Sequence, residues 1–162
     1  MANPYHQTEV RLLRDFFKQK TDGIYVDVGA SHPKILSQTW FLEEMGWSGV
    51  LVEPHPKMFQ LLCEQRLRSH TVHAAAGAES GEAELLLGVI HQHSTLAPLL
   101  GDPLTGEKIR VPLRTLDSIL TKAGVSKIDF LSIDVEGTEL QVLQGLNLEK
   151  YAPRLILGED IA

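Results

Sequence analysis

The sequence predicts an α/β fold: a doubly wound, mostly parallel sheet with helices on both faces. Short apolar segments alternate with helical periodicity along the chain, as in consecutive β–α–β units. Four predicted strands are apolar throughout, which is typical of strands covered on both faces. They are Ile24–Val28, Val50–Glu53, Ile128–Asp134 and Arg154–Gly158. Right-handed crossovers give a strand order of about 3-2-1-4-5 and a ligand site at the switch between strands 1 and 4.

The first half of the chain supplies three predicted helices and the third strand. Within residues 1–22, apolar positions 10, 12, 13, 16 and 17 predict an N-terminal amphipathic helix over Tyr5–Lys20. A second helix is predicted over Ser37–Met45, and a third begins after Pro54-His55-Pro56, because proline is favoured in a first helical turn. Thr71–Ala76 is the third predicted strand.

The second half contains a predicted strand pair and two helices. Glu82–Leu87 and Lys108–Leu113 are expected to pair across a polar loop, residues 88–107, which we interpret as a lid or substrate loop because long aperiodic connections are usually functional or disordered. Thr115 is a suitable N-cap for a helix over Leu116–Ala123. The last helix starts at Thr138, with Leu140 expected to face inward.

Composition limits the domain count and the class of partner. A chain of 162 residues predicts a single domain, residues 1–162. The net charge of −6, without a basic stripe, argues against nucleic acid as a partner. No apolar run approaches the ~20 residues of a membrane span, so no membrane partner is expected. The single cysteine, Cys63, excludes an internal disulfide and favours a reducing compartment, so we expect a cytoplasmic location.

Acidic residues follow several of the predicted parallel strands. The carboxyl edge of the sheet would gather Asp27, Glu53, Asp134, Glu136 and Glu159. Such clustering is costly unless a ligand with hydrogen-bond donors or a positive charge binds there. S-adenosylmethionine has ribose hydroxyls, an ammonium group and a sulfonium cation, and no pyrophosphate.

This edge has further features of a nucleotide site, and the single glycine among them favours S-adenosylmethionine over a dinucleotide. Glu53 lies 24 residues after Gly29, close to the roughly 20-residue offset of an acid that binds ribose hydroxyls. Gly29 stands alone where a pyrophosphate site has Gly-x-Gly-x-x-Gly, which also argues against a nicotinamide-dependent enzyme. Small residues at the end of strand 3, among them Ala75 and Ala76, leave room for a flat ring; tight packing under a helix would explain them equally well.

Five segments in this order resemble the FkbM-type methyltransferases, and the likeness extends from about Gly23 to Glu159. The segments are Asp27-Val28-Gly29-Ala30, Gly46-Trp47-Ser48-Gly49-Val50, Val52-Glu53-Pro54-His55-Pro56, Arg114-Thr115-Leu116-Asp117 and Ile128–Leu140, which includes Asp134-Val135-Glu136-Gly137. The resemblance implies a Rossmann-like class I methyltransferase fold, S-adenosylmethionine as methyl donor, and a hydroxyl acceptor on a sugar or small natural product.

The resemblance also implies roles for individual residues. Asp27, Gly29 and Ala30 would line the methionine end of the donor, with Ser31 in the same turn. Glu53, followed by Pro54, would bind the ribose hydroxyls, and Asp134 would lie near the methionine moiety or the acceptor.

The chain departs from the family pattern in two places. Ser31-His32-Pro33 stands where many members have Asn-x-Gly. The fifth predicted strand is followed at once by the last residues, so the sixth and seventh strands of the family fold are expected to be absent. That would leave a sheet edge exposed, through which two copies of the chain could form a homodimer.

Methyl transfer to a hydroxyl needs alignment of two reactants and a group that removes a proton. The catalytic candidates are His32, Asp134 and Glu136, with His91 and His93 as further possible bases. Glu136 has an alternative interpretation as a structural cap of the helix that begins at Thr138. No metal site is predicted. The alternative function is a non-catalytic module that binds the donor or a partner protein.

Overall fold

The computed structural model describes residues 4–18, 20–88, 95–96 and 104–158. Five parallel strands form the central sheet. They are β1 (Ile24–Val28), β2 (Ser48–Val52), β3 (Ser69–Val72), β7 (Phe130–Ile133) and β8 (Leu155–Gly158). Their order is β3-β2-β1-β7-β8, and all four pairings are parallel. The predicted order 3-2-1-4-5 is therefore confirmed.

A second, three-stranded sheet and six helices complete the described fold. The strands are β4 (Ala75–Ala76), β5 (Gly81–Gly88) and β6 (Leu104–Arg114), in the order β4-β6-β5. The helices are α1 (Pro4–Phe17), α2 (Trp40–Glu44), α3 (Pro56–Gln65), α4 (Leu116–Lys122), α5 (Glu139–Gln144) and α6 (Leu148–Tyr151). The predicted pair β5–β6 is antiparallel, as expected for strands on either side of one loop.

The central sheet is covered on both faces, and side chains of β1 alternate between them. Tyr25 belongs to the apolar cluster that includes Phe17 of α1, Phe41 of α2 and Leu62 of α3. Its neighbour Val26 belongs to the other cluster, with residues of α4, α5 and α6. The period of two along a strand produces this division, and it also decides which way the acid of β1 points.

Two predicted helices are shorter in the structure. The first helix ends at Phe17, and Lys18 follows with a positive φ of 53°. The second was predicted from Ser37 but begins at Trp40, because the Ser37 hydroxyl accepts hydrogen bonds from the amides of Thr39 and Trp40 and holds a turn there. Serine side chains compete in this way with helical backbone hydrogen bonding.

Two other boundaries differ from prediction. The third predicted strand, Thr71–Ala76, divides between the two sheets, because a turn at Ala74, whose amide donates to Val72 O, separates β3 from β4. The candidate loop 88–107 is shorter at both ends, since β5 includes Gly88 and β6 begins at Leu104. Within it the structure describes residues 95–96 only, so His91 and His93 lie outside the described residues, as does Glu159.

Leu140 was expected to face inward and is 65% exposed.

Candidate active site

A cleft lies at the carboxyl edge of the parallel sheet, at the switch between β1 and β7. It encloses about 510 Å³ of space outside the protein atoms, part of it open to solvent. Fifteen residues line it: Val28, Gly29, Ser31, Val52, Glu53, Pro54, Ala74, Ala75, Ala76, Leu85, Leu96, Asp134, Val135, Glu136 and Thr138. Eight of the predicted site residues are among them. Glu53 and the turn after β1 therefore share one hollow, as the donor-site hypothesis requires.

Gly29 permits the close approach of two turns beneath this cleft. Its φ is +83°, and a Cβ atom added there would lie 1.8 Å from the carbonyl oxygen of Asp134. The Asp134 amide also donates to Val28 O at 2.9 Å. The turn after β1 thus lies directly against the turn after β7, which places Ser31 and Asp134 on adjoining walls of one cleft.

Glu53 is the buried acid of the cleft. Its two carboxylate oxygens each accept one amide hydrogen bond at 2.7 Å, Oε1 from His55 and Oε2 from Ser31. Burial raises the pKa of Glu53 from its ordinary value of 4.5 to about 7, although these two hydrogen bonds lower it, and the nearby carboxyl of Asp27 raises it further. Each oxygen keeps a lone pair, so the group can also accept hydrogen bonds from hydroxyl groups of a ligand.

Asp27 is not among the residues that line the cleft, unlike the expectation from the sequence. Because side chains alternate along β1, its carboxyl points to the face that carries α2 and α3, where the Thr39 hydroxyl donates to it at 2.6 Å. Burial raises the pKa of Asp27, while the Thr39 hydrogen bond and the charge of Arg66 oppose that rise. Asp27 affects the cleft through its charge, which raises the pKa of Glu53.

Arg66, directly after α3, forms the centre of a buried polar network behind the cleft. Its side chain is fully buried and its Nε donates to Glu43 at 2.6 Å. The guanidinium also donates to four further groups at 2.8–3.3 Å, which are Tyr25 OH, Thr39 Oγ1, Pro33 O and Ser37 Oγ. Burial alone would raise the pKa of Glu43, but the hydrogen bonds from Arg66, Tyr25 and Ser69 lower it. The network fixes the 33–39 segment that continues from Ser31.

Two other predicted residues lie outside the cleft lining. Ala30 is buried in the apolar cluster of α1–α3, because its backbone turns that way after Gly29. His32 uses its ring nitrogen Nδ1 to accept hydrogen bonds from the amides of Lys34 and Ile35, at 3.1 and 3.0 Å. His32 therefore stabilises the local turn and does not border the described cleft.

The turn after β7 carries the two acids nearest the switch point. Asp134 and Glu136 line the cleft, and Glu136 has a positive φ of 57°. The carboxylate of Glu139 accepts hydrogen bonds from the amides of Val135 and Gly137 at 3.2 Å, and the capping role expected of Glu136 stays a prediction. The buried Thr95 hydroxyl donates to Glu136 O at 2.6 Å. Hydrogen bonds to the Glu139 carboxylate and from the Thr95 hydroxyl thus help to fix this turn.

Two hydroxyl groups of the cleft are buried and have no hydrogen-bond partner within the described part of the chain: Ser31 Oγ and Thr138 Oγ1. Thr138 is the N-cap of α5, but its side chain makes no capping hydrogen bond. Buried polar groups are usually paired, so unpaired ones in a cleft point to contact with a ligand or water.

Thr138, Leu85 and Leu96 line the cleft but were not predicted as site residues. Thr138 was assigned only to a helix start, although it follows directly on the acidic turn, and this adjacency was the available signal. Leu85 and Leu96 reach the cleft through the second sheet, since Thr95 forms a β-bridge with Leu86. No sequence pattern predicted that pairing.

The described residues contain no group of three or more His, Cys, Asp or Glu side chains arranged to hold a metal ion. In the same part of the chain, no helix combines the length and apolar character required to cross a membrane.

Comparisons with known proteins agree with this architecture. The crystal structure of Methyltransferase FkbM from Methylobacillus flagellatus KT matches with a TM-score of 0.55 and 19% identity over 82% of this chain and 32% of that chain, a likeness that shows the fold. AMB antimetabolite synthetase AmbE from Pseudomonas aeruginosa is 41% identical over 69 residues, which are 43% of this chain and 3% of the synthetase. The chain thus spans less than a third of the length of either relative. The family model for the methyltransferase FkbM domain matches residues 27–161, and the chain therefore belongs to this methyltransferase family.

Proposed function

We propose that this chain binds S-adenosylmethionine in the cleft and transfers its methyl group to a hydroxyl oxygen of a sugar or small natural product. One observation carries the proposal: the buried carboxyl of Glu53 and the turn after Gly29 border the same hollow, at the switch point of a parallel sheet. Ligands of open α/β sheets bind at that point.

The residues of the cleft fit the donor chemically. Glu53 has a free lone pair on each oxygen for the two ribose hydroxyls. Small side chains at Ala74, Ala75 and Ala76 leave space beside it for a flat ring. Asp134 and Glu136 provide negative charge for the ammonium group and the sulfonium. When bound, the donor supplies a methyl group that the sulfonium activates.

The chain would contribute alignment and proton removal. The fixed turns at Gly29 and Asp134 define where the two reactants meet, and alignment alone accounts for much of the rate of such a displacement. Asp134 and Glu136 are the described cleft residues that could accept the hydroxyl proton. His32, which is turned into its own loop, is not needed for this step.

A non-catalytic donor-binding module is the second candidate function. The observation that favours it is that no imidazole lines the cleft within the described ranges 4–18, 20–88, 95–96 and 104–158. Histidine is the side chain whose ordinary pKa suits a general base near neutral pH.

A methyl-transfer screen separates the two functions. Purified protein is incubated with donor labelled in the methyl group and a panel of hydroxylated sugars and natural products. Transfer of label that is lost in the double variant Asp134→Asn/Glu136→Gln supports the enzyme. Donor binding without transfer to any acceptor class supports the module instead.

A further inference from the structure

A second groove lies at the opposite edge of the parallel sheet, where β1, β2 and β3 begin. Residues at the starts of these strands and residues 123–127, after α4, line this amino-edge groove. It encloses about 780 Å³ of space outside the protein atoms, part of it open to solvent, and small-molecule sites are roughly 300–1,000 Å³ in size. We propose that the amino-edge groove is a second ligand site, which binds a small organic phosphate.

The strand register places polar and apolar side chains together on one wall of the groove. Val50 belongs to the apolar cluster on the α4 face of the sheet, and the period of two puts Ser48 on the same face. His70 is the neighbour of Val50 across the parallel pair β2–β3, so its imidazole extends from that face too. This wall therefore offers a hydroxyl and an imidazole beside an apolar floor.

Arg68 and Lys127 give the groove its positive charge. The Arg68 guanidinium lies at the amino end of β2, where its Nη2 donates to Gly46 O at 3.0 Å. That bond uses only one of the N–H donors of the guanidinium, and the others remain for a ligand. Neither cation is paired with a carboxylate in the part of the chain that the structure describes.

Carboxylates near the groove do not cancel this charge. Asp129 accepts the Ile24 amide at 3.0 Å, but it lies 3.7–3.8 Å from two cationic side chains of its own. Glu43 accepts the Arg68 amide at 3.2 Å and forms the ion pair with Arg66. No carboxylate is among the described residues that line the groove. Acids outnumber lysine and arginine by 21 to 15 in the whole chain, so this positive groove differs from the rest of the molecule.

The groove fits a phosphate group attached to an apolar body. A phosphate carries a charge of about −1.5 to −2 at pH 7, and arginine binds its oxygens with two parallel hydrogen bonds. Ile24, Val50 and Val125 provide apolar surface for the rest of the ligand. A metal ion is a poorer fit, because the carbonyls at the end of α4 already accept hydrogen bonds from the amides of residues 123–125.

Two phosphate probes and the NMR spectrum of the backbone amides test this proposal. Phenyl phosphate has an apolar ring, and inorganic phosphate has none. We expect both probes to shift the amide signals of Gly49, His70 and Val125 in a saturable way. Phenyl phosphate should bind about 10-fold more tightly, because the groove covers part of its ring.

Paired double variants show whether the two cations of the groove are responsible. Arg68→Gln/Lys127→Gln removes both charges and keeps a donor for Gly46 O. Arg110→Gln/Lys122→Gln is the matched control, since it also removes one arginine and one lysine, both exposed and outside the groove. We expect the first pair to weaken phenyl phosphate at least about 10-fold and the control less than about 2-fold, because only the first loses direct hydrogen bonds to the anion.

Saturable shifts at the groove that are lost only in Arg68→Gln/Lys127→Gln support the proposal. It is overturned if neither probe gives saturable shifts, if the shifts appear at Gly29 and Ser31 in the cleft instead, or if both double variants lose affinity equally. Equal affinity for the two probes would overturn the assignment to an organic phosphate. None of these results depends on the proposed function, because the groove and the cleft lie at opposite edges of the sheet.

Discussion

Glu53 is the residue whose environment has the largest electrostatic consequence. In the folded protein its pKa is about 7, above the ordinary 4.5, because its carboxyl is buried. At a pH between 4.5 and 7, Glu53 has released its proton in the unfolded chain and still holds it in the folded chain. The neutral acid therefore favours the fold at low pH, and this contribution is lost as the pH rises through 7.

We predict that the ligand-free protein loses up to about 3 kcal/mol of unfolding free energy between pH 4.5 and 7.5 through this residue. Urea denaturation at several pH values measures it. The side chain in Glu53→Gln does not titrate, so the unfolding free energy of this variant should fall by up to about 3 kcal/mol less over the same pH range. Identical pH slopes in the two proteins would contradict the raised pKa.

Substitution of Gly29 by alanine tests the contact between the turn after β1 and the turn after β7. Alanine there combines a positive φ with a clash against Asp134 O at 1.8 Å. Gly124→Ala is the matched control, because Gly124 has a φ of +71° and no atom within 4 Å of the added Cβ. We expect the control to cost about 1 kcal/mol in thermal denaturation and Gly29→Ala to cost at least about twice as much. Equal costs would show that the turns are not in close contact.

At the scale of elements, the Arg66 network joins α2 and the end of α3 to β1. Its central ion pair with Glu43 is buried on both sides. Removal of one partner from such a pair leaves an uncompensated buried charge, whereas replacement of both partners often costs less. The network should therefore behave as one energetic unit.

We predict that Arg66→Met lowers the unfolding free energy by about 3–5 kcal/mol and that adding Glu43→Gln recovers part of this loss. Arg68→Met, at an exposed neighbour that donates to Gly46 O, is the control and should cost less than about 1 kcal/mol. Chemical denaturation of the wild-type protein, Arg66→Met, Glu43→Gln and the double variant gives the coupling energy. Additive losses would refute a coupled network.

The contact between the second sheet and the acidic turn depends on Thr95. Its hydroxyl is buried and donates to Glu136 O at 2.6 Å. Thr95→Val should cost about 1–2 kcal/mol and speed hydrogen exchange of the amides in the turn after β7, while Thr95→Ser should retain most of the protection. Exchange that is unchanged in Thr95→Val would show that the turn is fixed without this contact.

Element types were predictable where the pattern is strong and local. The apolar strands β1, β2 and β7 follow from their composition, and the helix α4 follows from its Thr115 cap, whose side chain accepts from Ser118 N. The start of α2 was not predictable, because it depends on hydrogen bonds of the Ser37 hydroxyl that compete with a helical turn. The division of the third strand depends on a tertiary choice between two sheets.

At the scale of the whole molecule, the sequence likewise predicts only some of the residues that line the cleft. The sheet order brings Gly29, Glu53 and Asp134 together, and that order follows from alternating elements and the handedness of their crossovers. The direction of Asp27 was missed, because its place at the end of β1 does not reveal which face its side chain takes. Leu96 reaches the cleft only through the fold of the second sheet.

The proposed function requires that the hollow at the switch point binds a ribose-containing methyl donor through Glu53. Titration calorimetry of the wild-type chain, Glu53→Ala and Glu64→Ala with S-adenosylhomocysteine, and with NAD for comparison, measures this binding. Glu64 is an exposed carboxylate on α3 that accepts a hydrogen bond from Gln60, and it serves as the matched control.

We predict that wild-type protein and Glu64→Ala bind S-adenosylhomocysteine equally well, that Glu53→Ala binds it about 100-fold more weakly, and that NAD does not bind. The absence of S-adenosylhomocysteine binding to wild-type protein, or an unchanged affinity in Glu53→Ala, would show that Glu53 does not bind the donor in this hollow.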